Sequence, residues 1–148
     1  MIAVRPYQII IDTNVLVAGL RSNLGASYRL LRILNDNRWR LNVSVALVLE
    51  YEEILKRESV ALKLSFTEIE EIVDALCSIA NCRAIPYQWR PLARDPDDDH
   101  IAELALNINA DFVVTFNQKD LAPLQSFGIS VLPPKQFLIQ VGEIQGGD

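Results

Sequence analysis

Several residue types and motifs that mark familiar chemistries are scarce or missing in this chain of 148 residues. Its two cysteines, Cys77 and Cys82, are too few for a disulfide framework or a zinc cage. The lone histidine, His100, has no partner histidine or cysteine, and we expect it at the surface of a helix's first turn. The chain has no Ser-His-acid or Cys-His pairing, no Walker loop and no GxGxxG motif. Zinc chemistry, covalent catalysis and nucleotide binding through these motifs are therefore disfavoured.

Long apolar runs, targeting signals, repeats and flexible linkers are also missing. No run approaches the length that spans a membrane, and the N-terminus has no signal-like apolar segment. Half of the residues are hydrophobic, which is typical of a globular protein. We therefore predict a single domain over 1–148 in a reduced, cytoplasmic setting, without membrane association.

Positive charge is in short supply overall, but it is unevenly spread. The formal net charge of −5 argues against binding nucleic acid through general basicity. Segment 21–40 nevertheless carries a single acid, Asp36, among several arginines. Both a solvated helix face and a patch that contacts phosphates are open interpretations. The arginines of this segment are Arg21, Arg29, Arg32, Arg38 and Arg40.

The most informative feature that is present is the segment YQIIIDTN at 7–14. Ile9, Ile10 and Ile11 suit a fully buried central strand, where an ionised carboxylate is costly. Asp12 is therefore expected at the exit of the strand, facing water or a cation. In open α/β sheets, ligands bind at this end of the strands.

The rest of the chain alternates between strand and helix patterns. Ser44 is a predicted helix N-cap, and Thr67 with Glu70 has the spacing of a capping box. Strands separated by helices predict a parallel sheet with helices on both faces. The predicted strands are 8–11, 40–43, 83–85, 111–115 and 129–132. The predicted helices are 25–37, 45–57, 67–80, 98–109, 121–127 and one that begins at the Pro133-Pro134 pair.

Acidic residues recur at the ends of these elements. Glu50 lies at the margin of the apolar stripe of its helix, so its carboxylate is held against the body of the domain. In the run DPDDD at 95–99, helical spacing turns Asp98 inward and Asp99 and Glu103 away from the core. Asp95 or Asp97 is then expected to cap the helix.

The strand DFVVT at 111–115 repeats the logic of the first strand. It releases Thr115, then Asn117 and Asp120, at the carboxyl end of the sheet, although such residues are also ordinary turn formers. Asp12, Glu50, Asp98 and Asp120 would then approach one another from separate elements. Oxygen ligands of this kind suit Mg²⁺ or Mn²⁺ and disfavour zinc.

With these motifs in order, nearly the whole chain resembles the PIN domain family, which includes the toxins of VapBC-type toxin–antitoxin pairs. The resemblance implies a three-layer α/β/α fold with a central, mostly parallel sheet. It also implies divalent-metal-dependent cleavage of single-stranded RNA. The motifs are the opening strand with DTNVLV, the helix glutamate, DPDDDHIAELAL and DFVVTFNQKDL.

The resemblance also assigns roles to single residues. The first three acids of the family correspond to Asp12, Glu50 and Asp98, Thr115 to the hydroxyl residue that organises the site, and Asn14 to the residue that orients the first acid. The usual fourth acid is replaced by Asn117. Either Asp120 reaches the site through an altered turn, or the site runs on three acids and an amide, which would bind metal more weakly.

Three functional hypotheses follow. The first is a Mg²⁺- or Mn²⁺-dependent endoribonuclease, the toxin partner of an antitoxin protein. There Asp12, Asp98 and Asp120 hold metal, Glu50 orients or deprotonates water, and arginines such as Arg21, Arg29 and Arg32 contact RNA. The second is a catalytically weak PIN-fold module that binds RNA or protein. The third, an aspartyl phosphotransferase, is disfavoured because no second acid lies near Asp12 in sequence.

One further hypothesis concerns assembly. The apolar positions on the helix after Thr67 are candidates for a homodimer interface, although plain core is the more common use of such positions. They are Ile69, Ile72, Val73 and Leu76.

Overall fold

The computed structural model describes residues 5–85 and 99–146, and this part of the chain contains a five-stranded sheet. The strands are β1 (Tyr7–Ile11), β2 (Trp39–Ser44), β3 (Asn81–Arg83), β4 (Phe112–Val114) and β5 (Ser130–Leu132). All neighbouring strands are parallel, in the order β3-β2-β1-β4-β5. The chain therefore winds outward from β1 to β3 and then returns to the other side of β1.

Helices connect the strands and cover the sheet. They are α1 (Thr13–Arg21), α2 (Ala26–Arg32), α3 (Val45–Arg57), α4 (Ser59–Leu62), α5 (Phe66–Ile79), α6 (Asp99–Ile108), α7 (Gln118–Leu121), the 3₁₀ helix Ala122–Phe127 and α8 (Pro134–Gln140). This architecture confirms the predicted α/β/α fold with a parallel central sheet. Within the described ranges, no helix is both long enough and apolar enough to cross a membrane.

The core forms where the apolar runs of the sequence predict it. Ile9, Ile10 and Ile11 of β1 are at most 2% exposed, because strands and helices surround β1. Val113 and Val114 of the neighbouring β4 are completely buried. The two central strands thus bring their last residues to the same edge of the sheet.

Helix starts show where local signals succeed and fail. Ser44 caps α3 as predicted, since its hydroxyl accepts a hydrogen bond from the Leu47 amide at 3.2 Å. The prediction of a capping box at Thr67 is wrong. Ser65 and Glu68 form that box instead and start α5 two residues earlier.

The apolar face of α5 belongs to the core of this same chain. Ile69 and Val73 are buried there, so these two residues do not form a dimer interface. Ile72 and Leu76 are partly exposed.

Helix α6 differs from its predicted orientation. Asp99 and Glu103 were expected to point away from the core, yet they are only 2% and 4% exposed. The helix contacts β1, α3 and the 3₁₀ helix, so it is covered on more than one side and a single apolar face does not describe it. Asp95, Asp97 and Asp98 lie outside the described residues.

Candidate active site

Two polar residues lie where the central strands end. Asp12 directly follows β1, and Thr115 directly follows β4. The register pairs Ile11 with Val114, so the two residues leave the sheet side by side. The winding direction of the chain changes between β1 and β4, and such a switch point is where open α/β sheets bind ligands.

Asp12 occupies the N-cap position of α1, but its side chain makes no capping hydrogen bond. Its carboxylate instead accepts a 2.7 Å hydrogen bond from the Thr115 hydroxyl and a longer one, 3.4 Å, from the Asn14 amide. Asp12 is 4% exposed and Thr115 is completely buried. The carboxylate is therefore oriented by the side chains of Thr115 and Asn14, the second of which belongs to α1.

The turn after β4 is tied to the same group of residues. The backbone N–H of Asn117 donates to the Thr115 hydroxyl at 2.9 Å, and the backbone N–H of Phe116 donates to Oδ1 of Asn14 at 3.3 Å. Thr115 thus accepts one hydrogen bond while it donates another to Asp12. The Asn14 side chain thus contacts both Asp12 and the turn.

Glu50 reaches this region from α3. The buried residues Leu47, Tyr51 and Leu55 hold that helix against the core, and Glu50 lies at the margin of their stripe, as predicted. The Tyr51 hydroxyl also donates a short hydrogen bond to the Ile11 carbonyl. The helix that carries Glu50 is therefore fastened to the strand that ends at Asp12.

Both carboxylate oxygens of Glu50 have partners. The Thr13 hydroxyl makes a short hydrogen bond to Oε2, and Nε2 of His100 lies 3.2 Å from Oε1. The expectation that His100 lies at the surface is wrong, since only 16% of its side chain is exposed. The first turn of α6 packs against α3, and this contact brings His100 to Glu50.

The two carboxylates have opposite pKa shifts. Burial raises the pKa of Asp12; the Thr115 hydrogen bond counters part of the rise, and the charge of Glu50 adds to it. Burial also raises the pKa of Glu50, but the hydrogen bonds from His100 and Thr13 outweigh it and leave the pKa below its ordinary value. Glu50 is therefore a carboxylate at neutral pH, and Asp12 is the acid whose charge is less well stabilised.

A pocket of 490 Å³ opens onto these groups. Asp12, Glu50 and Asn14 line it, together with Asn117. Asp120, on α7, is half-buried and is not among the described residues that line the pocket. At the fourth position of the site, the geometry therefore favours the amide over the later acid.

The arginines predicted to contact RNA lie in two places. Arg21 lines the acidic pocket, where it forms a 3.6 Å ion pair with Glu58. Arg29 and Arg32 line a different pocket of 560 Å³ beside α2 and α8. Of the three, Arg21 is the one that shares a pocket with the carboxylates.

The donor set suits a hard divalent cation, although the described residues supply only part of a site. Within 5–85 and 99–146, no three His, Cys, Asp or Glu side chains are grouped closely enough to hold a metal ion. Asp12 and Glu50 nevertheless place two carboxylates in one pocket. Burial, and to a smaller extent the charge of Glu50, raise the pKa of Asp12, and a bound cation would offset both effects. Asp98, the third acid suggested by the resemblance, lies outside the described residues.

Sequence reasoning missed three residues that support the site: Thr13, Tyr51 and His100. Thr13 stands between the two site residues Asp12 and Asn14, which was a usable signal. Tyr51 directly follows Glu50, and helical periodicity indicates only that its ring faces the core. For His100 the sequence held no signal, because its contact with Glu50 joins residues 50 positions apart.

One solved structure with a similar fold is the crystal structure of VapBC2 from Rickettsia felis bound to a DNA fragment from their promoter. The match has a TM-score of 0.61 and covers 84% of this chain and 96% of that chain. Sequence identity is 16%, so this similarity concerns the fold alone. Comparison with the curated proteins gave no match.

The family comparison covers most of the chain. Residues 8–119 match the family described as PIN domain. This stretch contains Asp12, Glu50 and Thr115, and it is more than half of the sequence. The chain therefore belongs to the PIN domain family.

Proposed function

We propose that this protein is a Mg²⁺- or Mn²⁺-dependent endoribonuclease that cleaves single-stranded RNA. The observation that carries the proposal is that Asp12, which the buried Thr115 hydroxyl holds in place, and Glu50 line one open pocket at the switch point of the sheet. Hydrogen bonds from His100 and Thr13 stabilise the charge of Glu50, whereas the charge of Asp12 is penalised by burial and by Glu50, as expected of a carboxylate that a cation would neutralise.

Asp12 is the proposed primary metal ligand. Thr115 and Asn14 hold its carboxylate in place. Asp98 is the second ligand by resemblance to the family, and the pocket favours Asn117 over Asp120 at the remaining position. When bound, Mg²⁺ or Mn²⁺ offsets the negative charge that develops on the phosphate in the transition state.

Glu50 is proposed to orient the attacking water by accepting a hydrogen bond from it. A lowered pKa makes Glu50 a weak base, so orientation is favoured over proton abstraction. Arg21 contacts a backbone phosphate at the rim, where its exposed ion pair with Glu58 is weak enough to exchange for phosphate.

The biological role proposed is that of a toxin held inactive by an antitoxin protein in the cytoplasm. Similarity to the fold of VapBC2 supports this role. Expression of the wild-type chain should arrest growth, expression of Asp12→Asn should not, and the product of the adjacent gene should relieve the arrest. Growth arrest of equal strength with both chains would contradict the toxin proposal.

The direct test is cleavage of an end-labelled single-stranded RNA with added Mn²⁺. Wild type should cleave, EDTA should stop the reaction, and Asp12→Asn should lower the rate by about 100-fold or more. Glu53→Gln is the matched control, because it removes an acid from the same helix as Glu50 at an exposed position outside the pocket. Equal RNA degradation by wild type and Asp12→Asn would identify a contaminating nuclease.

A second candidate function is RNA or protein binding without cleavage. Asn117 favours it, since an amide in the pocket contributes no charge to a metal site. This candidate predicts RNA binding that EDTA does not change, and no cleavage by any variant.

A further inference from the structure

The position of His100 gives it a role that its place in the sequence does not suggest. The imidazole contacts Oε1 of Glu50, and the Thr13 hydroxyl contacts Oε2. A carboxylate oxygen can only accept a hydrogen bond, so Nε2 of His100 is the donor in this contact. The carboxylate is therefore held at both oxygens, by side chains from α1 and α6.

His100 reaches Glu50 from outside the acidic pocket. It lines a separate pocket of 350 Å³ together with Ser44 and Arg83, and it is not among the residues lining the pocket that contains Asp12. A substrate bound at Asp12 would thus meet Glu50 without meeting His100. Among the described residues, the hydrogen bond to the Glu50 carboxylate is the contact that links His100 to the acidic pocket.

We propose that His100 is a positioning residue that fixes the orientation of the Glu50 carboxylate, with Thr13 as the second holder. The inference rests on the proposed ribonuclease function, in which Glu50 orients the attacking water. A carboxylate held at one oxygen can rotate about its terminal bond, whereas one held at both oxygens keeps its free lone pairs in a fixed direction. Loss of His100 therefore slows the chemical step and leaves RNA binding intact.

The kinetic test compares two substitutions at position 100 with a control on the same helix. His100→Leu removes the donor and should lower kcat by about 10- to 100-fold with KM within about twofold. His100→Gln keeps an N–H donor and should recover most of the lost rate. Asn107→Leu is the control, since the Asn107 side chain donates to the Glu103 carbonyl within α6 and lines neither pocket.

A purely structural role gives a different result. It predicts that His100→Gln and His100→Leu lower kcat equally and that both lower the midpoint of thermal unfolding. A rise in KM at unchanged kcat would also overturn the proposal, because it would mean that His100 contacts RNA.

A second measurement is independent of catalysis. His100 is the single histidine of the sequence, so its imidazole resonances in an NMR spectrum need no assignment. At fixed neutral pH, Glu50→Gln should shift them strongly, and Glu53→Gln should leave them in place. If wild type fails to cleave RNA but the shift is seen, the ribonuclease proposal fails and the contact stands. Unshifted resonances in Glu50→Gln overturn the positioning role even in an active enzyme.

Discussion

The Thr115 hydroxyl donates a 2.7 Å hydrogen bond to Asp12, although the two residues are 103 positions apart in the chain. The contact exists because β1 and β4 are adjacent and parallel and end at the same level. It links the first carboxylate of the site to the turn that carries Asn117.

Removing the Thr115 hydroxyl should disturb both partners. In Thr115→Val, Asp12 loses a donor and the Asn117 N–H loses an acceptor, with little change in volume. We expect the free energy of unfolding to fall by about 1–3 kcal/mol and cleavage to weaken. Thr115→Ser keeps the hydroxyl and should retain most of the stability and most of the cleavage rate. Chemical denaturation measures the stability and an RNA cleavage assay measures the rate. Equal values for Thr115→Val and Thr115→Ser would contradict a role for the hydroxyl.

The two acids should influence stability in opposite directions when EDTA keeps metal away. The pKa of Asp12 is raised on folding, so its ionised form destabilises the protein at neutral pH, and this penalty disappears as the pH falls through the raised pKa. The pKa of Glu50 is lowered, so its contribution is present above the ordinary carboxyl pKa and is lost as the pH falls through the lowered value.

Asp12→Asn is therefore expected to raise the free energy of unfolding at pH 7, and Glu50→Gln to lower it. Denaturation curves from about pH 3 to about pH 8, a range that brackets the ordinary carboxyl pKa values of about 4, follow both differences. Each should shrink toward the acidic end. Changes of the same sign in both variants would contradict the pKa shifts.

The fourth position of the site can be tested by exchanging an amide and an acid. Asn117→Asp adds a charge to the pocket that contains Asp12 and should tighten Mn²⁺ binding by about tenfold. Asp120→Asn should change the affinity little. Isothermal titration with Mn²⁺ measures both. The reverse result would assign the fourth position to Asp120.

Arg21 should contribute a phosphate contact. Arg21→Gln is introduced into the Asp12→Asn variant, which is not expected to cleave RNA. RNA affinity should fall, and the slope of the logarithm of the binding constant against the logarithm of the salt concentration should become shallower by about 0.7. Arg57→Gln is matched to it, since Arg57 forms an exposed ion pair with Glu53 outside the pocket. Fluorescence anisotropy at several salt concentrations is the measurement, and equal slopes for both variants would exclude a specific contact.

The start of α5 gives a test of the corrected helix boundary. Ser65→Ala removes one half of the capping box and should lower the free energy of unfolding by about 1 kcal/mol. Thr67→Ala, inside the helix, should change it by less than about 0.5 kcal/mol. Thermal unfolding of both proteins decides between the two starts.

Signals confined to a few neighbouring residues predicted the fold well. The isoleucines of β1 indicated a buried strand, and Ser44 marked the start of α3. The prediction of where α5 begins failed because the pair Ser65 and Glu68 has the same spacing as the pair Thr67 and Glu70. The true start puts Leu64 before the cap and Ile69 four residues into the helix, and both pack in the core, which is the arrangement of a hydrophobic staple.

The candidate site was only partly predictable, because its polar contacts join distant segments. The sequence suggested that Asp12, Glu50 and Thr115 meet, since each lies at the end or margin of an apolar pattern. Nothing local indicated the partners of Glu50 or the burial of Asp99 and Glu103. Those features depend on how α6 is covered by α3, β1 and the 3₁₀ helix, and periodicity within α6 carries no information about its neighbours.

The peptide unit between Ile11 and Asp12 is held from two sides. Its carbonyl accepts from Tyr51 of α3, and its N–H donates to the Val114 carbonyl at the end of β4. These two hydrogen bonds do not involve the side chain at position 12, so a substitution there leaves the backbone in place. An amide at this position would leave the surface of the molecule intact while removing its charge. Such a variant would serve as a folded decoy that captures uncut RNA, and sequencing the captured strands would identify the natural substrate.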